Sequence, residues 1–209
     1  MNVLASCDSK YFIEHHKAFY RSAKSVGHTP FIVVINPTDQ VREIASTLDN
    51  VSFMQYKEVS KVLYSVNRFI IAESFIGREQ GVLVTDIDCF FNKKLPPIKE
   101  DIGLFLREKE SFGGMKVAAG VVWFGPTEKG VNFCNTVKDK IMSKPWEWYV
   151  DQYALYETYL EHKNNLSIFK FNMLHMDWEF TKNSYMWTGK GPRKYKNSTY
   201  LNRKRALEK

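Results

Sequence analysis

Val82-Leu83-Val84-Thr85-Asp86-Ile87-Asp88-Cys89-Phe90-Phe91 is an apolar run whose only charges are two aspartates spaced two apart. In an extended segment, residues i and i+2 share a face. A strand through this run therefore presents two carboxylates side by side where it leaves its sheet. Adjacent anions repel unless a cation holds them. A hard divalent ion such as Mg2+ or Mn2+ prefers oxygen ligands and keeps part of its shell for water and substrate phosphates. The pair points to metal-assisted chemistry on a phosphorylated donor. The plainer alternative is that one carboxylate caps the next turn and the other is solvated.

Upstream of this run, short apolar stretches alternate with amphipathic ones. Val3-Leu4-Ala5 reads as a strand ending at Asp8, followed by a helix with Phe12, Phe19, Ala23 and Val26 on one stripe and Gly27 at its end. Phe31 to Ile35 is continuously apolar and rich in β-branched residues, as a parallel strand covered on both faces requires, and Asn36-Pro37 stops it. Val41, Ile44, Ala45 and Leu48 recur at helical spacing. Val51 to Tyr56 reads as a strand, and Val62, Val66, Phe69 and Ile70 mark a helix running to Phe75-Ile76-Gly77. This β-α order predicts a Rossmann-like α/β fold: a mostly parallel sheet with right-handed crossovers and helices on both faces. Its ligand cleft lies at the carboxyl ends of the strands, where Asp8, Asp86 and Asp88 all fall.

Downstream, Ile102 to Leu106 and Val117 to Phe124 read as strands. Val131, Cys134, Val137 and Ile141 form a helix, Trp146-Glu147-Trp148-Tyr149 an aromatic loop, and Tyr153, Tyr156 and Leu160 another helix; Ser167 to Phe171 reads as a last strand. The 209 residues suffice for one well-buried core, and 44% hydrophobic content describes a globular chain. The net charge of +7 is local. Residues 190–209 hold eight of the 30 basic side chains and only Glu208 of the 23 acidic ones, so the rest of the chain is neutral. Such an end attracts nucleic acid, anionic membrane or a nucleotide's phosphates, or is a solvated tail.

Cys7, Cys89 and Cys134 are odd in number and far apart, which argues against a disulfide framework, and Cys7 and Cys89 lie in strand-like runs that suit buried thiols. Met1 to Asp8 lacks the basic and apolar regions of a signal peptide, and no run approaches the ~18 apolar residues of a membrane span. The expectation is a soluble, cytoplasmic protein.

Taken together, several segments resemble a nucleotide-sugar glycosyltransferase of the GT-A fold, the Asp-x-Asp type. They are the N-terminal strand ending in Asp8, the helix Tyr64 to Phe75, Val82 to Phe91, Ala118-Ala119-Gly120-Val121-Val122-Trp123-Phe124, Asp151-Gln152 opening a helix, and Gly189-Lys190-Gly191-Pro192-Arg193-Lys194. The resemblance implies a metal-dependent glycosyltransferase moving a sugar from a nucleotide-diphosphate donor to an unspecified acceptor. Residues 1–189 would be the catalytic domain, and 190–209 a basic segment that completes the donor site and then becomes a tail.

By the same resemblance, Asp86 and Asp88 would ligate Mn2+ or Mg2+, with Asp86 also near the sugar or ribose. Ser6 and Asp8 would hold the nucleoside, and Arg68 would contact the donor or the carboxylates. Gly120, Gly189, Lys190 and Gly191 would line the diphosphate. Asp151 and Gln152 would stand near the reacting carbon. Relatives often carry a histidine before the Gly-Lys-Gly stretch as a third metal ligand; here Thr188 stands there, with His175 or water as alternatives. Relatives also commonly have Asn where this chain has Ala118.

The residues themselves leave other readings open. Asp151 at a helix start can be an N-cap. Arg68 can be one half of a structural ion pair. His15 and His16 are adjacent on a helix and point in different directions, which suits packing rather than a shared metal. Trp146, Trp148 and Tyr149 can stack on a sugar or close the core. Two rival functions follow. A sugar-nucleotide-forming nucleotidyltransferase would also use a metal-binding aspartate, but Ser6-Cys7-Asp8-Ser9-Lys10 has no glycine-rich loop. A nucleic-acid-binding module would use the tail and its Tyr195 and Tyr200, and would leave Asp86 and Asp88 unexplained.

Overall fold

The computed structural model describes residues 1–107, 115–189 and 191–209. Lys190, expected at the diphosphate, lies outside the described residues.

Strand β1 (Asn2–Asp8) leads directly into helix α1 (Ser9–Ser25). The Asp8 carboxylate caps that helix, accepting from the Tyr11 N–H at 2.7 Å. At the other end Gly27 takes φ +79, so the chain reverses into β2 (Thr29–Ile35). Helix α2 (Asp39–Ala45), strand β3 (Val51–Met54) and helix α3 (Lys61–Ile70) follow. Ser60 caps α3 through the Leu63 N–H at 3.2 Å, and the helix gives way to a short 3-10 turn, Ala72–Phe75, before strand β4 (Val82–Thr85).

The expected single strand from Val82 to Phe91 is two strands in two sheets. After Thr85 the chain turns, with the Cys89 N–H donating to the Asp86 carbonyl at 3.2 Å. Cys89–Phe91 then forms β5 in a separate sheet. An unbroken strand would have carried Asp86 and Asp88 along one face. The turn instead lets each carboxylate meet its own cation, as described below.

The main sheet is completed by β6 (Ile102–Leu106), β7 (Val117–Phe124) and β8 (Ile168–Lys170), with helices α4 (Glu128–Ser143) and α5 (Val150–His162) between β7 and β8. Its order is β3-β2-β1-β4-β7-β6-β8. The β1–β2, β2–β3, β1–β4 and β6–β8 pairs are parallel, whereas β7 runs antiparallel to both neighbours. Thr85 pairs with Val121, so one step further Asp86 meets Gly120.

Alternate residues of each strand go to opposite faces, which is why the core has two halves. Val3, Ala5 and Leu83 pack with Phe12 and Phe19 of α1, while Leu4, Val82 and Val84 pack with Val66 and Phe69 of α3 and Phe133 of α4. Burying each such Phe fully contributes about 1.5–3 kcal/mol.

Past β8 the sequence reading expected no further strands and allowed residues 200–209 to be a solvated end. The structure differs. β9 (Met176–Asp177) and β10 (Met186–Thr188) join β5 in a three-stranded sheet, and helices α6 (Arg193–Lys196) and α7 (Ser198–Glu208) pack the chain's end back onto α1. The aromatic residues do this work. Tyr200 is 1% exposed and stacks on Phe90 at 4.6 Å, within a cluster that includes Ala18, Phe180 and Trp187. Cys7, Cys89 and Cys134 are free and buried, as expected. Among the described residues no helix is long and apolar enough to cross a membrane.

Candidate active site

Asp86 and Asp88 sit where β4 leaves the main sheet, and each carboxylate has a protein cation. Arg68, on the buried face of α3, donates through Nη1 to Asp86 Oδ1 and through Nη2 to the Ala119 carbonyl at 3.2 Å. The same Nη2 lies 3.7 Å from Asp151 Oδ2. One guanidinium thus ties together the Asp-x-Asp turn, strand β7 and the start of α5. Burial alone would lower its pKa, but the two carboxylates raise it, and it stays cationic.

Asp88 is held from the opposite side. Lys194 Nζ donates to Asp88 Oδ2 at 2.7 Å, with only 4% and 10% of the two side chains exposed. Tyr11 adds its hydroxyl, 3.3 Å from Nζ, and its ring face, whose centre is 4.6 Å away. Burial would lower the Lys194 pKa; Asp88 and Tyr11 raise it above the ordinary lysine value. The backbone of Asp88 is pinned as well, its carbonyl accepting from the Tyr200 hydroxyl at 3.0 Å and the Gly189 N–H at 3.2 Å.

Two of the expected glycines are explained by these side chains. A Cβ on Gly120 would lie 3.1 Å from Asp86 Oδ2 and 3.3 Å from Met176 Sδ. One on Gly189 would lie 2.8 Å from Lys194 Cδ and 2.9 Å from both Asp88 Oδ2 and the Tyr200 oxygen, closer than carbon atoms stand in proteins. Gly191 has φ +64, which favours glycine for backbone reasons alone.

Asp151 is in the first turn of α5, not its N-cap; Tyr149, with φ +75, occupies the cap. The Asp151 carboxylate is 5% exposed and accepts from the Gln152 N–H at 2.9 Å. Burial raises its pKa, with Arg68 opposing. Gln152 turns its side chain toward Arg107, accepting from Nη1 at 2.9 Å. Ser6 is buried, and its hydroxyl accepts from Asn67 Nδ2 at 2.9 Å, while Tyr56 donates to the same amide's oxygen at 2.9 Å. Asn67 and Tyr56 escaped the sequence reading. Asp8, at the end of β1, spends one carboxylate oxygen on the α1 cap.

The two proposed third metal ligands separate. A Cβ on Gly120 would be 3.8 Å from Thr188 Oγ1, so Thr188 and Asp86 both border Gly120. His175 is packed elsewhere, accepting or donating at 2.8 Å with Asn172 and stacked on Tyr185. Burial lowers its pKa. Ala118 is a buried core residue. Of the aromatic loop, Trp146 packs against the core and donates to the Ile141 carbonyl, whereas Trp148 is 56% and Tyr149 43% exposed.

No family model and no curated protein matches the chain. Solved structures do. A galactosyltransferase, LgtC, in complex with donor and acceptor sugar analogues superposes with a TM-score of 0.64 over 100% of this chain and 95% of that one, at 12% identity. An active-site mutant of LgtC gives 0.65 over 99% and 95%, also at 12% identity. The apo structure of the bifunctional glycosyltransferase WbbM gives 0.61 at 12% identity, covering 91% of this chain and 46% of that one. Strand order, the site at the end of β4 and these superpositions agree: the chain has the GT-A glycosyltransferase fold.

Proposed function

We propose that this protein transfers a sugar from a nucleoside-diphosphate donor to an acceptor hydroxyl. The observation that carries the reading is the convergence of Asp86, Asp88 and Asp151 on the cations Arg68 and Lys194 at the carboxyl end of β4, in a fold shared with a galactosyltransferase that binds donor and acceptor analogues. In such a transfer the bond from the anomeric carbon to the diphosphate breaks, and its electron pair leaves with the diphosphate. The acceptor oxygen bonds to the same carbon and gives up its proton, which ends on the departing diphosphate or in solvent. Fixed positive charge near the departing oxygen lowers the barrier, because the stabilised charge develops only during transfer.

Each residue has a part in this reading. Arg68 holds Asp86 and Asp151 in a fixed relation, Asp86 orients donor hydroxyls beside Gly120, and Asp151 faces the reacting carbon with Gln152 beside it. Ser6, through Asn67, and Asp8 shape the nucleoside end. By the resemblance, Lys190 would contact the diphosphate, and the glycines at 189 and 191 would let backbone N–H groups approach it.

The resemblance also implies Mn2+ or Mg2+ on Asp86 and Asp88, and here the residues present do not fit. Asp86 is engaged by Arg68, Asp88 by Lys194, and the third position offers only the neutral hydroxyl of Thr188. No step is therefore routed through a metal.

The test is thermal stabilisation by UDP, GDP, ADP and CDP, followed by diphosphate release from the matching nucleotide sugars. One nucleotide should raise the unfolding midpoint, and Asp151→Asn should keep that shift while losing most turnover. No shift with any nucleotide overturns the proposal.

A further inference from the structure

We infer that the Lys194 ammonium is the site's built-in cation, so that nucleoside-diphosphate binding does not require a divalent metal. This inference rests on the donor-site reading above. The position is a constructed one. Lys194 reaches Asp88 across 106 residues of sequence and is 3% exposed, a placement that is unfavourable for an ammonium unless its partners are fixed in advance.

Those partners are fixed. Asp88 is held through its backbone carbonyl by Tyr200 and Gly189, and the ammonium lies between the Asp88 carboxylate and the face and hydroxyl of Tyr11. Tyr195 brings a second ring, 5.2 Å from Nζ. The space at Gly189 is shaped to the lysine stem, since a single methyl there would strike Lys194 Cδ. Three independent elements, α1, the loop after β10 and α7, thus close around one side chain.

The chemistry follows from occupancy. A divalent ion bound to Asp88 would have to displace a charge-assisted hydrogen bond of 2.7 Å that is almost wholly shielded from water. It would find Asp86 already paired with Arg68. The lysine already occupies the place on Asp88 that such an ion would take and neutralises that carboxylate. Of its three N–H groups, one goes to Asp88 and one toward Tyr11.

The experiment is calorimetric titration of UDP, GDP, ADP and CDP into the purified full chain, once in EDTA and once in Mn2+, with Mn2+ alone titrated in parallel. The expected result is one nucleotide binding with Kd values within about threefold in the two buffers, and no saturable Mn2+ site. In Lys194→Ala, which vacates the cation's place, nucleotide binding should become at least roughly tenfold tighter in Mn2+ than in EDTA, and a Mn2+ site should appear. Wild-type binding that occurs only with Mn2+ overturns this inference and leaves the donor reading standing. Failure of every nucleotide in both buffers removes the donor reading and this inference with it. If Lys194→Ala does not fold, the wild-type comparison decides alone.

Discussion

Replacing Arg68 with methionine keeps most of the side chain's bulk and removes the cation that Asp86 and Asp151 share. Arg68 is 5% exposed, so its loss leaves Asp151, itself almost fully buried, without its nearest counter-charge, 3.7 Å away. Breaking a buried pair by removing one partner costs about 3–5 kcal/mol. The Asp86 side chain is 38% exposed and water can take over part of its solvation, which puts the expected loss near the lower end, about 3 kcal/mol. For a chain of 209 residues each kcal/mol moves the midpoint by about 2–4 °C, so thermal unfolding should begin roughly 6–12 °C lower.

The charge origin of that loss gives it a pH signature. Burial already holds the folded-state Asp151 pKa above the ordinary aspartate value, and removing Arg68 raises it further. A carboxyl with a raised folded pKa binds more protons folded than unfolded, so stability falls as pH rises. The penalty is therefore absent below the ordinary aspartate pKa, grows through the interval up to the raised one, and is complete above it. Urea unfolding of wild type and Arg68→Met at pH 7, 5 and 4, followed by circular dichroism, measures it. The gap between the two proteins should narrow with each step toward acid. A loss below about 1 kcal/mol at pH 7, or one unchanged at pH 4, would refute the reasoning and leave only a packing role for Arg68.

Two further predictions concern the flanks of the site. Tyr200→Phe keeps the ring on Phe90 but deletes the hydroxyl that donates to the Asp88 carbonyl; it should cost about 1 kcal/mol in urea unfolding and weaken nucleotide binding, and unchanged values for both would remove Tyr200 from the site. His28 is 4% exposed against the edge of Phe91, and burial, helped by the N-terminal ammonium and Lys94, pushes its pKa down to about 4. Its folded pKa is depressed, so the unfolded chain takes up the proton first and stability present above the ordinary histidine value drains away as pH falls to about 4. The slope is on the order of 1 kcal/mol per pH unit, and His28→Phe should flatten part of it; an identical slope in the variant would show that other groups, His15 among them, carry the acid sensitivity.

How much of this was legible in the chain depended on the range over which each signal acts. Local signals read correctly: the continuous apolar run from Phe31 to Ile35 became a strand inside the sheet, and Gly27 ended α1 with a positive φ. Val82 to Phe91 misled because its composition is strand-like on both sides of a turn. The two aspartates do mark where the strand leaves its sheet, but nothing in the residues shows that Cys89–Phe91 enters another, since that is decided by pairing with Met186–Thr188 nearly a hundred residues on. The short strands β9 and β10 were missed for the same reason, each being two or three residues long with no periodicity of its own. Asn67 offered even less. An asparagine inside an amphipathic helix looks solvated until Ser6 and Tyr56 are brought to it.

The basic C-terminus shows how the same distance effect changes a functional argument. As sequence, residues 190–209 are a cluster of positive charge, and charge clusters on tails suggest polyanions. Folded, part of that charge is answered from within: three of the eight basic side chains have carboxylate partners among the described residues. Lys194 belongs to Asp88, Arg193 reaches Glu179 at 2.6 Å, and Lys204 stands between Glu14 at 4.0 Å and Glu208 at 3.5 Å. A nucleic-acid surface needs cations free to exchange counterions with phosphates. A donor site needs a small number of cations held still beside the departing charge. Lys194 is buried, oriented by Tyr11 and Asp88, and closely packed against Gly189, so it is not free to exchange counterions in the way the first arrangement needs. On the donor-site reading, Lys194 is the member of that charge excess which the end of the chain folds back to deliver to Asp88.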